Sequence, residues 1–108
     1  NKIEADQLIK DAQTLEKLGC FSTVLEKIPH KLSEEISKKT KFPLIGIGAG
    51  NNVDGQVLVI HDLIGLTNEF NPRFIRRYLD LNSSIKSAVS QFIKDVKSSD
   101  FPSKDEMY

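Results

Sequence analysis

An excess of charge of either sign is missing from this sequence: fifteen Lys and Arg balance fifteen Asp and Glu across 108 residues. That balance argues against the dense basic footprint of a nucleic-acid binder and leaves no field to steer acidic partners. Long apolar runs are missing too, and none approaches the roughly 18 to 20 residues that a membrane span needs. With Cys20 as the one cysteine, no internal disulfide can form, which fits a reducing compartment. Also absent are a spaced Cys/His set, a converging acidic cluster, and the Gly-Lys-Ser/Thr of a phosphate-cradling loop. The chain opens at Asn1 without an initiator methionine, so earlier residues are expected. What is there is globular: 39% hydrophobic and 28% charged residues, enough for one domain and too few for two.

Charge is unevenly spread. Residues 1 to 41 carry fifteen of the thirty charged side chains, whereas Phe42 to Leu66 carry only Asp54 and Asp62. Gly46, Gly48, Gly50, Gly55 and Gly65 crowd that same stretch. A solvated amphipathic beginning therefore leads into a buried, glycine-rich middle. Ala5, Leu8, Ile9, Ala12, Leu15 and Leu18 follow the helical period, and Gly19 supplies the stop. Phe21–Glu26 reads as a short strand, and Pro29 fits the first position of a second helix bearing Ile28, Leu32 and Ile36 on one face. Leu44–Ala49 and Gln56–Ile60 read as two more strands, apolar throughout as strands covered on both faces are. Asn71-Pro72 then looks like the cap of a short basic helix through Tyr78. Ile85, Ala88, Val89, Phe92, Ile93 and Val96 stripe a final long helix.

Such an order is α/β with a parallel sheet. Three strands cannot close a barrel and would leave an open edge and an uncovered face. The simplest account is a piece of a larger α/β domain. A complete (β/α)₈ barrel has about 250 residues, so roughly 140 would be missing on the N-terminal side.

In parallel sheets, reactive groups gather beyond the carboxyl ends of the strands. Here those ends hold Glu26, the turn Gly48-Ala49-Gly50-Asn51-Asn52, and His61-Asp62, three spots expected on one rim. Alternation sets Ser22, Val24 and Glu26 on one face, with Val24, Leu25 and Ile28 as apolar surroundings. Desolvation there would raise the carboxylate pKa and suit a general base for a carbon-bound proton. The plainer reading is a solvated glutamate near a helix N-terminus. Gly46, Gly48 and Gly50 alternate with period two, admitting a ligand or a closely packed neighbour, and a structural role for some of them is favoured. They do not form a dinucleotide fingerprint, because the three-residue step and the following helix are missing. His61-Asp62 reads as an orienting pair or a proton shuttle, or equally as a helix N-cap supplied by Asp62. His30 is expected at the surface, and Cys20 as a small buried hydrophobe. Arg73, Arg76 and Arg77 suggest a solvated face or a subunit contact.

Wording is more informative than periodicity. Val24-Leu25-Glu26-Lys27-Ile28-Pro29, Ile45-Gly46-Ile47-Gly48-Ala49-Gly50, and the run Asp54 to Leu66 (DGQVLVIHDLIGL) occur in order. With Phe70-Asn71-Pro72-Arg73-Phe74, Tyr78 and Phe101-Pro102, they closely resemble the C-terminal part of the ketopantoate hydroxymethyltransferase family. The resemblance covers nearly the whole chain. It implies that residues 1–108 belong to one (β/α)₈ barrel of the phosphoenolpyruvate/pyruvate superfamily, supplying about its last three strands, with the N-terminal half-barrel as a missing partner. It implies transfer of a hydroxymethyl group from 5,10-methylenetetrahydrofolate to 3-methyl-2-oxobutanoate, giving 2-dehydropantoate for pantothenate biosynthesis in the cytoplasm. Glu26, at the glutamate of the V-L-E-x-x-P motif, would be the proton acceptor. Mg²⁺ would be a cofactor, with its ligands and the substrate lysine in the earlier strands and none matched here. These residues alone would then neither bind Mg²⁺ nor catalyse. Homo-oligomers, typically decamers, are also implied, whereas nucleic acid and membrane are not. The competing reading is a non-catalytic oligomerisation or interaction module that keeps the fold.

Overall fold

The computed structural model describes residues 1–108. It divides into two compact units, Asn1–Leu58 with Pro72–Ile75, and Val59–Asn71 with Arg76–Tyr108.

The first unit opens with α1 (Lys2–Lys17), started by a capping box in which Asn1 and Glu4 bond reciprocally. Its end is a Schellman turn: Cys20 N–H donates to Leu15 O and Gly19 N–H to Glu16 O, with Gly19 at φ 89°. β1 (Thr23–Glu26) starts two residues later than the sequence pattern suggests, and Phe21 is 88% exposed. α2 (His30–Lys39) has Pro29 as its N-cap rather than its first residue, and buries Ser33 and Ile36. β2 (Leu44–Ile47) lies between β1 and β3 (Gly55–Gln56), both parallel to it. Thr23 pairs with Leu44 and Glu26 with Ile47, and the ladder runs one step further as Lys27 N–H donates to Ile47 O at 2.9 Å.

Ile9, Ala12, Leu25, Ile36, Phe42, Leu44 and Ala49 form the core, with Ile28, Leu32 and Val53 against it. Two carboxylates brace the central strand. Glu16 Oε1 accepts from the backbone N–H of Lys41 and Phe42, tying the last turn of α1 to the approach to β2. Asp54 Oδ2 accepts from Leu44 N–H at 2.9 Å, while Asp54 N–H donates to Leu44 O. Truncating Leu44 or Ile36, each 1% exposed, to alanine would cost about 2–5 kcal/mol.

The third strand is shorter than the sequence suggests. Only Gly55 and Gln56 pair with β2, and Ile60 already begins α3 (Ile60–Leu63). β2 ends at Ile47, where Gly48 turns the chain at φ 64°; after Val57 N–H bonds Gly46 O, no strand carbonyl remains to accept. An apolar run of this length fits either element, and here its neighbour decides.

The second unit contains α3 and α4 (Leu81–Ser98). Tyr78 N–H donates to Leu63 O, Leu81 N–H to Ile64 O, and Asn82 Nδ2 to Leu66 O, which joins the two segments. Gly65 lies so close to the Leu79 carbonyl that no side chain fits there. The expected basic helix over 72–78 does not form. Asn71 Oδ1 accepts from Arg77 Nη1 instead of capping, and Arg77 Nη2 donates to the carbonyls of Thr67 and Phe70. α4 forms as expected, yet none of its residues is buried, and Ile85, Val89, Phe92, Ile93 and Val96 are 43–53% exposed. No helix is long and apolar enough to cross a membrane.

Candidate active site

Glu26 ends β1 opposite Ile47, at the carboxyl end of the parallel sheet. Leu25 turns into the core, which leaves Val24 and Glu26 on the opposite face. There Glu26 is exposed and Val24 is 58% exposed. The apolar enclosure expected around the carboxylate is therefore not built by Val24, Leu25 and Ile28. Ile28 packs on the core instead, as helix α2 draws it away from the strand face.

Immediately after Glu26, Lys27 takes φ 53°, a left-handed conformation for a non-glycine residue. That kink turns the chain from β1 into α2, whose first turn holds no acidic residue. The glycines beyond β2 receive this junction. A Cβ on Gly48 would stand 2.9 Å from Phe74 Cγ, and one on Gly50 would stand 2.5 Å from His30 Cβ. Gln56 Nε2 donates to Gly50 O at 2.8 Å and holds the turn. The structural role expected for these glycines is thus given by named neighbours, and Gly46 has its own in Val53 and Gln56.

An open groove of about 550 Å³ lies over this junction, lined by Lys27, Pro29, His30, Gly48, Arg73 and Phe74 among others. Its cationic side chains enter no ion pair, since those of the chain join Asn1 to Glu4, Glu34 to Lys38 and Glu35 to Lys39. The hydrogen bond and charge of Lys38 hold the Glu34 carboxyl below its usual range. Sequence reading missed the groove because residues 27–30 and 72–74 meet only through the fold.

Other candidates sit elsewhere. His61 and Asp62 belong to the second unit, inside α3; Val59 is its N-cap, so Asp62 does not cap it. Asp62 accepts instead from Thr67 Oγ1 at 3.4 Å. His30 is exposed as expected, but Cys20 is exposed rather than buried, because the Schellman turn carries it past the end of α1. Of the three arginines, Arg73 lines the groove, Arg76 is exposed, and Arg77 binds its own loop. No three His, Cys, Asp or Glu side chains converge to hold a metal.

The unit is of the parallel α/β class, and Glu26 stands at a strand's carboxyl end beside a groove, the place where that class gathers reactive groups. The family model of ketopantoate hydroxymethyltransferase matches residues 1–104, and the chain belongs to that family. The 3-methyl-2-oxobutanoate hydroxymethyltransferase of Flavobacterium johnsoniae is 58% identical over 105 residues, covering 97% of this chain and 39% of the relative. Those of Christiangramia forsetii and Chlorobaculum parvum are each 56% identical over 105 residues, covering 97% of this chain. The chain spans 38–39% of the length of these curated relatives.

Proposed function

We propose that the complete protein containing this chain transfers a hydroxymethyl group from 5,10-methylenetetrahydrofolate to 3-methyl-2-oxobutanoate, and that Glu26 is its proton acceptor. Residues 1–108 then form the C-terminal part of one (β/α)₈ barrel. The position of Glu26 at the carboxyl end of β1, where parallel sheets gather reactive groups, carries the reading. Its carboxylate takes the C3 proton of the keto acid, and the C–H electron pair moves toward the C2 carbonyl to give an enolate. Water cleaves both carbon–nitrogen bonds of the folate's methylene bridge, leaving its two protons on the nitrogens and its oxygen on the one-carbon unit. C3 bonds that carbon, and the proton held by Glu26 passes to the new hydroxyl.

Mg²⁺, which the resemblance implies, has no donor set among these residues, and the role of Glu26 is derived without it. The exposed stripe of α4 supports a place within a larger body or a homo-oligomer such as a decamer. The free thiol of Cys20 supports a reducing compartment, the cytoplasm.

In the complete protein, Glu26→Gln is expected to abolish exchange of the C3 proton with solvent while keto-acid binding stays nearly intact. Exchange at the parental rate would remove Glu26 from the mechanism.

A further inference from the structure

We infer that the groove over the β1–α2 junction holds the aminobenzoyl-glutamate tail of the folate co-substrate, an inference that rests on the function proposed above. Volume is the first argument. About 550 Å³ falls in the range of roughly 300–1,000 Å³ typical of drug-sized ligands, and a small branched keto acid would leave most of it unfilled. Charge is the second. Lys27, His30 and Arg73 line the groove, no carboxylate lines it, and the nearby Glu34 is already paired with Lys38. A glutamate tail brings two carboxylates to such a lining, and a guanidinium accepts one of them bidentately.

Shape is the third argument. Phe74 is locked over Gly48 and Pro29 faces the same space, which gives an aminobenzoyl ring apolar surface to stack on. Position completes the case. The groove begins one residue beyond Glu26 along the chain, at the same carboxyl end of the sheet, so a tail anchored there starts next to the strand end that carries the base.

The test uses the complete enzyme. Arg73→Gln and Lys27→Gln are each expected to raise the KM for 5,10-methylenetetrahydrofolate about three- to tenfold, as partly exposed charge contacts do. The KM for 3-methyl-2-oxobutanoate and the folate-independent exchange of its C3 proton stay at parental values. p-Aminobenzoyl-glutamate, used as the probe, competes with the folate and not with the keto acid, and Arg73→Gln weakens that inhibition. An unchanged folate KM in the double variant overturns the inference, as does a keto-acid KM that rises alongside it. Exchange that survives Glu26→Gln would instead indict the base, so the two failures leave different signatures.

Discussion

The ring of Phe74 lies over Gly48 so closely that a Cβ at position 48 would fall 2.9 Å from its Cγ and 3.2 Å from its Cβ. Gly50 makes a harder contact, 2.5 Å from His30 Cβ and 3.1 Å from the His30 Cα, which is backbone. Both glycines have positive φ. Gly48→Ala is therefore expected to cost about 1–3 kcal/mol, and Gly50→Ala about 2–5 kcal/mol, by thermal unfolding of the complete protein. Rescue separates them. Phe74→Ala removes the nearest atom facing position 48 and recovers part of the loss. His30→Ala recovers nothing at position 50, because alanine keeps the offending Cβ.

Reach decides the behaviour of a base as much as chemistry does. Glu26→Asp keeps the carboxylate and withdraws it by one methylene. A displacement of about 1 Å can cost about 100-fold, so proton exchange at C3 is expected to fall by that order with keto-acid binding little changed. Parental exchange in this variant would mean that another group takes the proton.

Strong acid releases the start of α4. Asp80 accepts from the hydroxyl and the backbone N–H of Ser83, and these bonds hold its carboxyl below the usual range. A carboxylate with a lowered folded-state pKa contributes stability above its unfolded value, near about pH 4, and loses it as pH falls through the folded value. Amide exchange at Ser83 is expected to accelerate over that acidic window. Asp80→Asn, which accepts hydrogen bonds without titrating, should flatten the response.

Arg77 binds the loop before it through Asn71 Oδ1 and the carbonyls of Thr67 and Phe70. Lysine keeps the charge and loses the planar fork. Arg77→Lys is expected to speed amide exchange across residues 67–71 about tenfold, equivalent to about 1.4 kcal/mol. Equal exchange in the two proteins would show that the loop holds itself.

These contacts also mark how far the sequence could be read. α1, α2 and α4 were legible from their amphipathic stripes, with the stop at Gly19 closing the first. β1 and β2 were legible in place, and with them the position of Glu26 at a strand end. β3 was not, because its end is set by where β2 stops accepting hydrogen bonds. Residues 72–78 misled because Asn71 had a better partner in Arg77 than in a helix N-terminus. The burial of Cys20 and the enclosure of Glu26 depend on what lies across from them, which local pattern does not encode.

β1 and β3 each pair on one side only, with β2. Their outer backbone groups are templates for any extended chain that meets them, and Val24 adds an exposed apolar side chain to the first. Produced by itself, this stretch is expected to aggregate or exchange strands between copies. Under the proposed barrel, co-expression with the N-terminal half-barrel should suppress that by occupying the edge of β1. Yield in the supernatant thus becomes a simple readout of sheet completion, obtained before any substrate is added.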